Sequence, residues 1–231
     1  MARITVLGQS GTGKSWYSGW LMENVVPEFE HAIHLDYEDE EQGMSLSEDP
    51  LFVTLFVDEE LLDSLDFESV VERNKKVRVV PDGLTKDEIG DLAEELATAA
   101  LELGDCYFSI DEAHNVCESQ SIGPKMERLV TGGRKHGVEW QAVTQRPQKL
   151  HEDVLSQSNI SVYFAVSKDR DLKKIGDSSD VDPERIRGLD KRQAIIENHD
   201  NGEVKTIDTN NLSRKYPHVA GDDGKADELL F

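Results

Sequence analysis

The sequence lacks the features of a disulfide-bonded or membrane-embedded protein and of a cysteine-ligated metal site. Its two cysteines, Cys106 and Cys117, form neither a disulfide framework nor a metal-ligand spacing. It has no run of roughly 18 apolar residues, so no transmembrane helix is expected. The seven residues before Gly8 are too few for a signal peptide. A reduced, cytoplasmic protein is therefore expected.

Positive charge is also scarce. Lys and Arg total 25 whereas Asp and Glu total 47, which gives a formal net charge of −22. The acidic residues are spread along the chain as well as bunched in short runs. Such a surface repels polyanions at low salt, and high salt screens that repulsion. Adaptation of the whole surface to high salt is one hypothesis; an ordinary solvated acidic surface is the simpler alternative.

Apolar segments alternate with helical patterns along most of the chain. Strands are predicted at 2–7, 31–37, 51–57, 77–80, 106–110, 138–144 and 160–166, and helices at 15–25, 61–74, 85–104, 122–135, 151–157 and 169–176. Two further strands, joined at Asn201-Gly202, predict a β-hairpin near the C-terminus. This order predicts a single α/β domain over residues 1–209, with a mostly parallel sheet covered on both faces. Residues 210–231 are expected to form a mobile, acidic tail.

A glycine-rich segment lies between the first predicted strand and the first predicted helix. It matches the pattern G-x-x-x-x-G-K-[ST] in full. Glycines let the backbone wrap around phosphates, and the amides at the helix start face the anion. Lys14 would reach the β- and γ-phosphates of ATP, and Ser15 would bind Mg²⁺. The predicted nucleotide-binding residues are Gly8, Gln9, Ser10, Gly11, Thr12, Gly13, Lys14, Ser15 and Trp16.

Two adjacent acids follow the buried strand 106–110. Asp111 stands where a carboxylate that organises Mg²⁺ is expected. Glu112 could polarise a water molecule for attack on the γ-phosphate, which favours hydrolysis over simple nucleotide sensing. Glu112 could instead be one more surface acid. His114 either lies near this site or caps the strand end.

Polar residues also flank the strand 138–144. Gln145 follows it and could contact the γ-phosphate or the attacking water. The alternative is that Gln145 belongs to an ordinary turn after the strand and has no role in the site. Arg134 precedes the strand, so in a parallel sheet it would lie away from the phosphates of its own subunit. It could serve a neighbouring subunit as an arginine finger, or it could be a solvated helix end.

Together these motifs resemble the HerA–FtsK superfamily of P-loop ATPases that pump DNA. The resemblance covers roughly residues 3–167 and rests on HLDYED, on IDEAHN and on LVTGGRKHGVEWQAVTQRPQKLHEDVLSQSNISVYFAV. It implies a RecA-like fold of the ASCE class, a homo-oligomeric and usually hexameric ring, and ATP-driven movement of double-stranded DNA. By position it implies that Lys14 and Ser15 bind nucleotide and metal. It further implies that Asp111 and Glu112 are the metal-organising and catalytic acids, Gln145 the sensor and Arg134 the finger acting in trans.

The chain departs from the larger members of this superfamily. The amino-terminal barrel of cellular HerA and the membrane segment and winged-helix domain of FtsK are not expected. The small size resembles the genome-packaging ATPases of membrane-containing icosahedral double-stranded DNA viruses, and an acidic virus of a salt-loving archaeon would suit both features. Capsid or portal-vertex proteins would then be partners. The letters DEAH at 111–114 mark a strand end, because 231 residues cannot hold the second RecA-like domain of a DEAH helicase.

Two other function classes share parts of this pattern. Assembly or secretion ATPases resembling the Zot-type phage proteins have a P-loop and a similar acidic stretch, but they usually bring a membrane segment. Small-molecule P-loop kinases often lack a glutamate beside the metal-organising aspartate.

A DNA motor also needs local positive charge in an acidic chain. The candidates for the bore of a ring are Lys125, Arg128, Lys135 and Lys149.

Overall fold

The structure, a computed structural model, describes residues 1–219 and places nine strands in one twisted sheet. The strands of this sheet are β1 (Arg3–Leu7), β2 (His31–Leu35), β3 (Val53–Val57), β4 (Lys76–Pro81), β5 (Cys106–Ile110), β8 (Val138–Thr144), β9 (Ile160–Tyr163), β10 (Gln193–Asn198) and β11 (Glu203–Asp208). A small separate ribbon pairs β6 (Cys117–Glu118) with β7 (Ser121–Ile122). The spatial order of the large sheet is β11-β10-β9-β1-β8-β5-β2-β4-β3.

Helices cover both faces of the sheet. They are α1 (Lys14–Val25), α2 (Gly43–Leu46), α3 (Glu59–Ser64), α4 (Phe67–Asn74), α5 (Lys86–Leu103), α6 (Pro124–Gly132), α7 (Glu152–Gln157), α8 (Asp169–Gly176) and α9 (Pro183–Arg187). Within residues 1–219, no helix combines the length and the hydrophobicity that crossing a bilayer requires.

The predicted parallel sheet is confirmed. The seven strands from β9 to β3 pair in parallel, and β10 runs antiparallel to both of its neighbours, β9 and β11. Every residue of β5 is buried. Burial raises the pKa of the Cys106 and Cys117 thiols to about 12. Thiols that resist ionisation are poor nucleophiles and poor metal ligands, which agrees with their interpretation as ordinary core residues.

Helix boundaries differ from the prediction where a side chain caps the backbone. The long helix predicted at 61–74 is two helices, α3 and α4. The Asp66 carboxylate accepts the backbone N–H of Ser69 at 3.1 Å, so a new helix begins there instead of continuing the first. A capping box begins α5, since Thr85 Oγ1 accepts from the Glu88 backbone and the Glu88 carboxylate accepts from the Thr85 backbone. The short helix α9 was not predicted.

The C-terminal segment corrects the expectation of a mobile tail from residue 210. Residues 212–219, here called the C-terminal strap, pack back onto α1 and the acidic loop after β2. The Arg214 guanidinium donates to Glu23 at 2.8 Å and to Glu41 at 2.7 Å, and all three side chains are about 95% buried (relative exposures 4%, 4% and 5%). Val219 forms a parallel bridge with Glu41. The prediction missed these contacts because each partner lies more than 170 residues away in sequence; residues 220–231 lie outside the described part.

The buried ion pairs of the strap should contribute strongly to stability. Replacing Arg214 by Met keeps most of the side-chain volume but removes the guanidinium from two buried carboxylates, of which only Glu41 keeps another ion-pair partner, His218, among residues 1–219. Breaking such a buried pair costs about 3 kcal/mol or more. We expect Arg214→Met to lower the free energy of unfolding by about that amount, measured by equilibrium denaturation at fixed salt.

The matched control is Lys215→Met, one residue further along the strap. Lys215 pairs with Asp49 at 2.8 Å, but both side chains are exposed. Exposed pairs contribute little because water screens them, so this variant should remain close to the unmodified protein. Equal losses from the two variants would contradict a stabilising role for the buried pairs.

Candidate nucleotide-binding site

The glycine-rich segment forms a tight loop between β1 and α1, as predicted. Gly11 and Gly13 have φ angles of +76° and +114°, in the region that side chains with a Cβ rarely adopt. Gly8 is needed for a different reason, because a Cβ on it would lie 2.6 Å from the Cβ of Phe164. The loop therefore keeps the open shape in which backbone amides can surround a phosphate.

Lys14 lies inside this loop with its ammonium group only partly satisfied. Its side chain is buried, and Nζ donates to the backbone oxygen of Gln9 at 3.1 Å. Burial lowers the pKa of Lys14 from its ordinary value, although the carboxylates of Glu112 and Asp111 oppose this shift. An anion bound in the loop would stabilise the charged ammonium form.

Asp111 follows β5 in a group of mutually repelling carboxylates. Its backbone N–H donates to Leu35 at the end of β2, at 2.9 Å. Burial, and then the neighbouring carboxylates of Asp36 and Glu112, raise the pKa of Asp111 well above its ordinary value. A cation beside Asp111 would relieve this repulsion.

The residues present fit Mg²⁺. Ser15 and Asp111 line the same small cavity beneath the loop. Within residues 1–219, no three His, Cys, Asp or Glu side chains are arranged to hold a metal ion by themselves. Mg²⁺ suits such a site, because it is usually bound by one or two protein oxygens together with waters and substrate phosphates. Ser15 and Asp111 would hold it.

Glu112 has an unusual backbone and an unsatisfied side chain. Its φ and ψ angles are 44° and 46°, a left-handed conformation that is strained for a residue with a side chain. The carboxylate is buried, and its Oε2 lies 3.0 Å from Nδ1 of His114 without the geometry of a hydrogen bond. With Lys14 and Ser15 it lines a cavity beside the glycine-rich loop, here called the nucleotide cavity. A buried oxygen without a hydrogen bond here can accept one from a water molecule or a ligand.

His114 takes a supporting position. It is buried, and its Nδ1 lies 2.9 Å from Oγ1 of Thr144, the last residue of β8. The contact joins the turn after β5 to the end of β8. Of the two predicted placements, the structure favours the one near the site, where His114 contacts Glu112.

Gln145 and Arg134 lie at opposite ends of β8. Gln145 follows the strand and lines the nucleotide cavity with Lys14 and Glu112. Arg134 precedes the strand, is exposed, and takes no part in the ion pairs or side-chain hydrogen bonds formed among residues 1–219. Because β8 is parallel to β1, Arg134 lies at the edge of the sheet away from the nucleotide loop of its own chain.

The cavity also contains residues that the sequence did not single out. They are Glu38, Glu40, Lys191, Arg192 and His218.

Arg192 reaches the cavity from the loop before β10. Its guanidinium carbon lies 4.8 Å from the centre of the Trp16 ring, and its backbone N–H donates to Thr12 at 2.9 Å. Its φ of +70° is also left-handed. Neither the positive φ nor the approach to the nucleotide loop leaves a signal in the local sequence.

His218 reaches the cavity from the C-terminal strap. Its Nδ1 lies 3.2 Å from Oε1 of Glu41, and this contact raises the pKa of His218. The strap therefore adds an imidazole to a cavity that contains both acidic and basic side chains.

The arrangement matches the predicted chemistry of phosphate binding. Backbone amides and a buried lysine face one end of the cavity, a hydroxyl and a carboxylate can hold a metal ion, and a second carboxylate and an amide face the same space. Such a cavity can bind a nucleoside triphosphate and position a water molecule against it.

Comparison with known proteins gives local sequence matches and fold-wide structural matches. No protein-family model matches the chain. The DNA double-strand break repair helicase HerA of Pyrococcus furiosus is 40% identical over 94 residues, which cover 38% of this chain and 17% of that protein. The matched part thus spans less than a fifth of that relative.

Solved structures share the fold over most of the chain. The genome packaging NTPase B204 from Sulfolobus turreted icosahedral virus 2, in complex with ATP-gammaS, matches with a TM-score of 0.65 and 19% identity, over 89% of this chain and 96% of that one. The bacterial conjugative coupling protein TrwB matches with a TM-score of 0.62 and 12% identity, over 95% and 88%. These likenesses establish a RecA-like fold. With its complete nucleotide loop and the local match to HerA, the chain is similar to P-loop ATPases of the HerA–FtsK superfamily.

Proposed function

We propose that the protein hydrolyses ATP to move double-stranded DNA. The observation that carries the proposal is the placement of Lys14, Glu112 and Gln145 around one cavity at the carboxyl edge of the parallel strands. This arrangement brings together a cation that could bind phosphate, a carboxylate that could act as a base and an amide, which are the groups that hydrolysis needs.

The chain's own residues account for the chemical step. The loop amides and Lys14 bind the β- and γ-phosphates, and Ser15 and Asp111 hold Mg²⁺, which neutralises phosphate charge when bound. Glu112 accepts a proton from the water that attacks the γ-phosphate, and the bond to the β-phosphate oxygen breaks to release ADP. Gln145 contacts the γ-phosphate or that water and responds when the phosphate leaves.

Arg134 completes the site of a neighbouring subunit in a homo-oligomeric, hexameric ring. Its position at the far edge of the sheet supports this, because it cannot reach its own nucleotide from there. An arginine supplied in this way stabilises charge on the transferred phosphoryl group.

The substrate proposal rests on the relatives. The similarity to a HerA helicase and to a viral genome packaging NTPase supports DNA as the polymer that is moved. The more specific proposal is packaging of a viral genome into a preformed capsid, inside the host cell and with capsid or portal-vertex proteins as docking partners. The net charge of −22 supports a host that lives at high salt.

The first test is ATP hydrolysis at molar potassium chloride, with and without double-stranded DNA, across a range of protein concentrations. We expect turnover per subunit to rise with protein concentration, as rings assemble, and to rise again with DNA. Turnover that changes neither with protein concentration nor with DNA would contradict the proposal of a DNA motor and favour a self-contained enzyme.

Single substitutions should separate binding from hydrolysis. Lys14→Ala should lose ATP binding, because the loop loses its buried cation. Glu112→Gln should bind ATP with unchanged affinity but turn over about 100-fold more slowly or worse, the usual loss when a general base is removed. Binding is measured with a fluorescent ATP analogue and turnover by phosphate release.

The control for Glu112→Gln is Glu127→Gln, the same change on the exposed face of α6. It should leave both quantities unchanged. A Glu112→Gln variant that hydrolyses ATP at the rate of this control would rule out Glu112 as the base.

The finger assignment predicts complementation between two inactive proteins. Glu112→Gln subunits retain Arg134 but cannot hydrolyse their own ATP, whereas Arg134→Ala subunits retain Glu112 but supply no finger. We expect each alone to turn over at least about 100-fold more slowly, since such fingers contribute roughly 10³–10⁵ in rate. Mixing the two should restore activity, measured by phosphate release at fixed total protein.

The control for this mixture is Lys135→Ala, which removes the adjacent exposed cation and should remain active. If mixing restores no activity while both variants still form rings, Arg134 does not act in trans.

A further inference from the structure

Cations are concentrated in one part of this acidic chain. Residues 145–174 contain six Lys and Arg and four Asp and Glu, a net charge of +2. The other 201 residues contain 19 Lys and Arg and 43 Asp and Glu, a net charge of −24. The positive segment covers the turn after β8, together with α7, β9 and the first part of α8.

The acids of α8 do not neutralise these cations. Asp171 is buried, and its carboxylate accepts the backbone N–H of Gln148 at 3.0 Å. Asp169 pairs instead with Arg187 from α9, at 2.7 Å. Among residues 1–219, none of the six cations of this segment takes part in an ion pair, although Asp and Glu outnumber Lys and Arg almost two to one.

Five of these cations are exposed and lie on elements that contact one another. The contact between Asp171 and Gln148 ties the start of α8 to the 3-10 turn Pro147–Lys149 after β8. Arg146 and Lys168 line a single cleft between these elements. Arg170 and Lys173 are exposed and lie three residues apart, on one face of α8. The basic surface, as we call it, consists of Arg146, Lys149, Lys168, Arg170 and Lys173.

The basic surface borders the nucleotide cavity. Ser10 and Gln145 line both that cavity and the cleft that contains Arg146 and Lys168. Arg146 directly follows Gln145, and its backbone N–H donates to Oγ1 of Thr144 at 3.0 Å. A ligand bound to the basic surface would therefore lie next to Gln145, the residue proposed to respond when the γ-phosphate leaves.

We propose that the basic surface binds the phosphate backbone of the DNA that the ATPase moves. The inference rests on the proposed function and names the residues through which it acts. Exposed lysines and arginines without ion-pair partners among residues 1–219 suit a polyanion, and contacts to phosphates carry no sequence information, so we expect binding to be independent of sequence.

This location differs from the bore residues expected from sequence. Of those four, only Lys149 belongs to the basic surface. Lys135 precedes β8 and so lies roughly 20 Å away, the length of a seven-residue strand. Arg128, on α6, faces His136 at 3.2 Å, near that same distant edge.

The test compares two triple variants that remove the same charge. One is Lys149→Gln, Arg170→Gln, Lys173→Gln; the matched control is Lys125→Gln, Arg128→Gln, Lys135→Gln. Both leave Arg146 and the nucleotide cavity intact. The affinity for a fluorescent 30-base-pair duplex is measured across a potassium chloride series, and ATP turnover is measured with and without that duplex.

We expect the first variant to lose DNA-stimulated turnover but keep its basal rate. Its slope of log affinity against log salt should be shallower by about 0.9 for each DNA phosphate that the variant no longer neutralises. The control should match the unmodified protein. An unchanged salt slope in the first variant, with DNA binding by the unmodified protein intact, would overturn the assignment and leave the proposed function standing.

Two further outcomes would also overturn it. If the first variant changes ring assembly, seen as a shift in the protein concentration at which basal turnover rises, while DNA affinity stays the same, the basic surface is a subunit interface. If the unmodified protein neither binds the duplex nor responds to it, the DNA motor itself is wrong and the assignment fails with it.

Discussion

The site depends on the parallel alignment of β1, β5 and β8. Their register brings the ends of all three strands to one edge, with Leu7 paired to Thr144 and Ile110 paired to Ala142. The residues that follow each strand then face one cavity, although the segments lie far apart in sequence. The same alignment sends Arg134 to the opposite edge. The parallel alignment thus separates the residues proposed to act on a subunit's own nucleotide from Arg134, which is proposed to act on the nucleotide of a neighbouring subunit.

The central elements could be predicted because their signals are local. The strand 138–144, an apolar run, and the helix 169–176, a polar stretch with helical spacing, were predicted at the bounds that the structure has. The C-terminal strap could not be predicted. Arg214 has no local partner, and its burial depends on Glu23 and Glu41, which only the folded chain brings to it. Polar composition alone does not distinguish a solvated tail from one held by buried ion pairs.

In the nucleotide cavity, too, some residues can be predicted from local sequence and others depend on tertiary contacts. Its phosphate-binding loop is a contiguous pattern with one mechanism, so the sequence predicts it in full. Arg192 and His218 enter from loops whose course depends on tertiary contacts, and the left-handed backbone of Arg192 is not encoded by a glycine. The strained backbone of Glu112 is equally invisible in the sequence. Residues that complete the cavity from outside the core motifs therefore require the structure.

Charge connects the two halves of the proposed motor. Around Asp111 the protein crowds carboxylates, whose repulsion a bound cation relieves. Next to that acidic group, beyond Gln145, it leaves cations without acidic partners, whose charge a bound polyanion neutralises. A bound cation would neutralise the first group, and a bound polyanion would neutralise the second. Gln145 lines the cavities beside both groups. In the proposed motor, loss of the γ-phosphate would change the charge on one side of Gln145. A shift in Arg146, joined to it by one peptide bond, would pass that change to the polymer.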